Sequence, residues 1–325
     1  MAHSCGALVA GLLFVTEHGG ATINIVMIEA TDGANLPGNV YEPEGEPAYQ
    51  LLVLPGIGVP QRVFRHLATW FAGNGVRVVT VDYRGMGASK LDQLALRTAS
   101  LSTWATRDAV GALRFVEQSS RAPVVLLGHS FGGQALGFSD EFRRLHGAIL
   151  VGSQFGLARH WDGLARVKLA AYWNLILPAS AAVFEVVPGW TGLGERLPRG
   201  VAREWALWGR TREWLLPHVE GAERRYATFD RPIRAYAMTD DDIAPPRAVS
   251  DLLRRFREAE VERVDLAPSD LALPKIGHIG LFRPGAPERI WQEMFEFGRR
   301  VTHHVPPIGR VDCKQARVDL EGGAP

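Results

Sequence analysis

The 325-residue chain carries 36 Lys and Arg against 35 Asp and Glu, a formal net charge of +1, with 46% hydrophobic and 22% charged residues. That balance leaves enough apolar side chain for a sizeable core, and it excludes the basic footprint of a nucleic-acid binder and the acidic composition of an interaction tail. The two cysteines, Cys5 and Cys313, lie in opposite terminal segments without metal-ligand or redox-pair spacing, so no disulfide and no metal are expected, and the compartment reads as reducing and cytoplasmic.

The chain opens with an apolar stretch at 7–15 that no Lys or Arg precedes, a poor export signal, and residues 1–22 read as an N-terminal extension. Residues 23–28 and 38–41 read as short strands around the turn signal Asp32-Gly33. A third strand at 50–54 ends in the loop Pro55-Gly56-Ile57-Gly58-Val59-Pro60. Val63, Phe64, Leu67, Trp70 and Phe71 then fall on one helical face, and Gly73-Asn74-Gly75 stops that helix. Residues 76–81, four of them Val, read as a strand of the kind buried on both faces of a parallel sheet.

A glycine-rich loop follows, Asp82-Tyr83-Arg84-Gly85-Met86-Gly87-Ala88-Ser89, and then a helix with Ala109, Val110, Leu113 and Val116 in register and Ser102 or Thr103 as its cap. Strands are expected at 124–127, 148–151, 233–238 and 261–266, and helices at 131–138, 248–256 and 288–297. The alternation breaks over 153–229, which holds six of the nine Trp and no strand-like run. Beyond about 303 the composition turns polar, as in a flexible tail. Strand and helix in alternation imply an α/β fold, mostly a parallel central sheet with helices on both faces. The core then comprises 23–152 and 230–302, 153–229 is a helical cap insertion and 303–325 the tail.

The most informative junction is the apolar run 123–127 leading directly into Gly128-His129-Ser130-Phe131-Gly132-Gly133. Small residues on either side of a serine permit a sharp, strained strand-to-helix turn with the hydroxyl at its apex. A serine hydroxyl attacks poorly until an imidazole takes its proton, and the imidazole needs a carboxylate to fix its tautomer. Thr239-Asp240-Asp241-Asp242-Ile243-Ala244-Pro245 after one late strand offers the acid, and Lys275-Ile276-Gly277-His278-Ile279-Gly280 after the last offers the imidazole. The backbone N–H of Phe131, at a helix N-terminus, is a natural oxyanion donor. His129 points away from its neighbour on a tight turn and reads as a packing residue. No further ligand lies at metal spacing from the aspartates, and Gly56-Ile57-Gly58 lacks the later glycine of a dinucleotide fingerprint, since Gln61 stands there.

From about 23 to 302 the chain resembles the α/β-hydrolase superfamily. The Asp82–Ser89 loop, the elbow around Ser130, and the later acid and His278 occur in its order. Within it, Gly200-Val201-Ala202-Arg203-Glu204-Trp205 and Ala244-Pro245-Pro246 resemble predicted bacterial hydrolases related to serine-aminopeptidase-like enzymes. The resemblance implies a Ser130–Asp241–His278 triad, because in that fold an aliphatic residue and a proline follow the acid at the offsets of Ile243 and Pro245; Asp240 is the alternative. It also implies a second oxyanion donor after the third strand, Ile57 N–H, although Pro55 replaces the His usual there.

The expected activity is a cofactor-free serine hydrolase cleaving a carboxylic ester of an apolar small molecule. An acyltransferase with the same triad and a non-catalytic binding protein are the alternatives. The aromatic cap suggests Trp173, Trp205 and Trp208 as substrate-binding residues. Residues 169–187 are interrupted by Asn174, Pro178 and Glu185, so no membrane span and no membrane contact are expected.

Overall fold

In a computed structural model that describes residues 14–18, 21–89, 93–189 and 194–303, nine strands form one sheet in the order β1-β2-β3-β5-β4-β6-β7-β10-β11. They are β1 (Phe14–His18), β2 (Ala21–Glu29), β3 (Asn35–Glu42), β4 (Gln50–Leu54), β5 (Arg77–Val81), β6 (Val124–His129) and β7 (Gly147–Val151). Beyond the short ribbon β8 (Val186–Val187) and β9 (Leu197–Pro198) follow β10 (Ile233–Met238) and β11 (Val261–Leu266). The first three pair antiparallel, β3 joins β5 antiparallel, and every other pairing within this sheet is parallel.

The run of four parallel central strands follows from their sequences. Every residue of β4, β5, β6 and β7 is buried, as required of strands covered on both faces. Alternation then divides them between two cores. Leu52, Leu54, Val79 and Leu126 face a cluster that includes the helix Ala109–Ser119, whereas Leu51, Val53, Val78 and Val125 face the helices Arg65–Gly73 and Glu288–Thr302.

Three sequence expectations change. Within the supposed extension 1–22, Phe14–His18 is a strand that pairs with β2, register Phe14↔Ile25 to His18↔Ala21, so the sheet begins earlier than composition indicated. Ser100, not Ser102 or Thr103, caps the helical turn Leu101–Thr103 by accepting the Thr103 N–H at 3.0 Å. Ser102 instead donates its backbone N–H to Glu204 in the cap, at 2.9 Å. The segment 153–229 does contain strands, the ribbon β8–β9. The expected flexible tail lies outside the described residues from 304 onward.

Between β7 and β10 lie the helices Gly163–Ala171, Leu177–Val183, Arg199–Arg210 and Ala222–Thr228. A π-helical turn, Tyr172–Ile176, joins the first two. Their buried residues, among them Trp173, Leu177, Ala206 and Trp208, belong to the same apolar cluster as Leu52, Leu126 and Phe131. The cap stem is also tied to the helix Pro246–Leu253, where the buried Asp251 accepts from Arg159 (2.9 Å) and bonds His160 Nε2 (2.8 Å). No helix among the described residues is long and apolar enough to cross a membrane.

Candidate active site

Ser130 occupies the turn between β6 and the helix Phe131–Gln134 with φ 52° and ψ −114°, a conformation that costs a non-glycine residue about 1–3 kcal/mol. The flanking glycines make it possible. A Cβ on Gly132 would sit 2.0 Å from the Leu54 carbonyl oxygen, and one on Gly128 would sit 2.6 Å from the Gly133 nitrogen. The Ser130 N–H is held by the Val151 carbonyl at 2.9 Å.

His278 Nδ1 lies 2.7 Å from Asp241 Oδ2. The other carboxylate oxygen of Asp241 accepts the N–H groups of Ile243 (2.8 Å) and Ala244 (2.9 Å). Burial pushes the Asp241 carboxyl up, but the hydrogen bond and charge of His278 and the two backbone donors outweigh it and leave it below its ordinary value. A carboxylate on Nδ1 fixes the proton there and leaves Nε2 as the free acceptor. Gly152, at φ +58°, lies beneath the pair: a Cβ there would come within 3.2 Å of the His278 ring.

Asp240 does different work. Its carboxylate accepts the Ile276 N–H (2.8 Å) and the Gly277 N–H (3.0 Å), pinning the loop that carries His278 to the loop that carries Asp241. His129 Nε2 lies 3.0 Å from the His278 carbonyl oxygen, and its ring is fully buried against His278, Phe64 and Phe282. Burial, with the neighbouring His278, drives the His129 pKa down to about 3, so it is a neutral packing group beneath the site.

Ser130, His278, Asp241, Ile57, Val63 and Trp205 are among the residues lining one cleft of about 420 Å³. Among the described residues Ser130 Oγ has no hydrogen-bond partner, His278 included. Such bonds are often long in unliganded sites and tighten on the substrate. Gly56 abuts the turn, since its Cβ would stand 2.9 Å from Ser130 Cβ, and this brings the Ile57 loop beside the hydroxyl. Asp82 anchors that loop by accepting the Gln61 N–H and side-chain amide, each at 2.9 Å. Among the described residues neither the Phe131 nor the Ile57 N–H is taken by a protein acceptor.

Of the three cap tryptophans, Trp205 lines this cleft and Trp173 lines a neighbouring chamber of about 380 Å³. Trp208 lines neither. It is fully buried and lies over Phe131, ring centroids 6.3 Å apart at 29°, so the expected substrate contact is corrected to a packing role. Three positions apart on the cap helix Arg199–Arg210, the two share one broad face and differ in depth: Trp208 is buried on Phe131, whereas Trp205 is half-buried at the cleft.

The model of the alpha/beta hydrolase family matches residues 51–291, about three quarters of the chain. The chain belongs to the alpha/beta hydrolase family. No curated protein matches it at a significant level. Solved structures share the hydrolase fold at low identity. The esterase domain of a Rhodothermus marinus protein is 18% identical, with 86% of this chain and 98% of that one covered at a TM-score of 0.55. Est1E from Butyrivibrio proteoclasticus, with ferulic acid bound, is 15% identical over 84% and 97% at a TM-score of 0.57. A lipase in an open form is 17% identical over 86% and 99% at 0.58.

Two features of this hydrolase site escaped the sequence reading. The role of Asp240 had a signal, its place beside the proposed acid, but the partners are backbone groups 36 and 37 positions away. The second chamber depends on Trp161, Tyr172 and Trp214 converging with Trp173, which composition flagged only as an aromatic-rich segment.

Proposed function

We propose that this member of the family is a serine hydrolase that cleaves carboxylic esters of apolar small molecules through an acyl-enzyme intermediate. The observation that carries the reading is the pairing of His278 with Asp241 in the same cleft as the strained Ser130. In this reaction Ser130 Oγ attacks the ester carbonyl carbon while His278 Nε2 takes its proton, and Asp241 holds the imidazolium that forms. The N–H groups of Phe131 and Ile57 receive the oxyanion. The carbon–oxygen bond to the alcohol then breaks and His278 returns the proton to the leaving oxygen. Water, activated by the same imidazole, attacks the acyl-enzyme and regenerates Ser130. No step calls on a cofactor.

The apolar residues Ile57, Val63, Ile243 and Trp205 in the cleft favour an apolar substrate, and the esterases and lipase of like fold favour an ester. Ser130→Ala tests it. Turnover of p-nitrophenyl esters and labelling by a fluorophosphonate probe should both vanish while the circular dichroism and melting temperature persist. Turnover that survives the substitution overturns the assignment.

A further inference from the structure

Beside the catalytic cleft lies the cap chamber of about 380 Å³, and the two cavities share Trp205, Asp242 and Ile243 as lining residues. Five aromatic rings line the chamber: Trp161, Tyr172, Trp173, Trp205 and Trp214. Several are fixed rather than loosely packed. Trp173 donates its indole N–H to the Gly156 carbonyl (3.2 Å) and lies on Gly209, where a Cβ would come within 2.3 Å of the indole. Trp214 donates to Gln134 Oε1 (3.0 Å) and lies on Gly156, where a Cβ would come within 2.6 Å of its ring. Trp161 donates to the Asp242 carbonyl (2.8 Å).

Two backbone irregularities hold these rings. Trp214 has φ +60°, a left-handed conformation that is an outlier for so bulky a residue. Tyr172 and Trp173 sit on the π-helical turn Tyr172–Ile176, a local widening of the helix that recurs at functional sites. With three indole N–H groups already bonded to protein, the rings present rigid apolar faces and edges. Such walls suit a flat ring, which stacks or meets them edge-on, better than a flexible alkyl chain that must be ordered to fit.

We infer that the cap chamber is a binding site for a fused or substituted aromatic arm of the substrate, carried past Trp205 while the scissile ester lies beside Ser130. The inference rests on the ester-hydrolase reading for the position of the scissile group, but the chamber's preference for a flat ring is read without turnover. The probes are methyl 2-naphthoate, 2-naphthyl acetate and the straight-chain methyl ester of equal carbon number, titrated calorimetrically into the full-length Ser130→Ala protein.

At least one naphthyl ester should bind about tenfold tighter than the alkyl ester, the increment of one or two aromatic contacts. Ala165→Trp, which fills the chamber from a lining position on the cap helix, should erase that preference; Ala165→Phe serves if the first variant does not fold. Equal affinity for naphthyl and alkyl esters, or a preference that survives filling, overturns the inference. Loss of turnover in the wild type with the binding preference intact would instead overturn the ester-hydrolase reading alone.

Discussion

Asp240 and Asp241 are adjacent and chemically identical, yet one carboxylate reaches the His278 imidazole and the other two backbone N–H groups. Replacing Asp241 by Asn removes the acceptor that fixes the His278 tautomer, and kcat for ester hydrolysis should fall by about 10³–10⁴ with KM little changed. Asp240→Ala removes two charge-assisted bonds that hold the His278 loop, so it should lower both the melting temperature and activity, with the smaller effect on kcat. Steady-state kinetics beside thermal denaturation separate the two. The larger kcat loss in Asp240→Ala would exchange their roles. Spacing to Ile243 and Pro245 favoured Asp241 from the sequence, but no spacing could show that Asp240 reaches Ile276 and Gly277. That contact is set by how two loops meet, not by their order in the chain.

At the scale of elements, the glycine-rich loop after β5 is held by Arg84. It donates through Nε to Asp108 Oδ1 (2.8 Å) and through both terminal nitrogens to Asp32 (2.7 and 2.9 Å), joining the β2–β3 turn to the helix before Ala109. Asp108 is completely buried, and burial, opposed by Arg84, raises its carboxyl to about 6. Arg84→Met strands that carboxyl and should cost about 3–5 kcal/mol at neutral pH. A carboxyl whose folded pKa exceeds its unfolded value favours folding below the unfolded pKa and loses that contribution as pH rises through the folded one. The deficit should therefore shrink as pH falls from about 7.5 to about 5, measurable as converging urea midpoints, and a deficit independent of pH would refute it.

The central strands were readable because burial on both faces leaves an unbroken apolar run, as in 124–127. The edges were not. Phe14–His18 and the two-residue strands β8 and β9 are strands by virtue of their partners, which no local pattern records.

Across the whole molecule, the cap is not a separate body laid over the sheet. Trp208 rests on Phe131 directly after Ser130, Leu177 and Ala206 share the cluster of Leu52 and Leu126, and Asp251 binds the stem through Arg159 and His160. Swinging it away would expose that shared core, at about 25 cal/mol for each Å² uncovered. A cap anchored in this way should admit substrate without swinging aside, and an oil droplet would have no door to push. Initial rates for a sparingly soluble ester should accordingly follow plain saturation as its concentration crosses the solubility limit. A sudden rise at the onset of droplets would mean that the roof does lift.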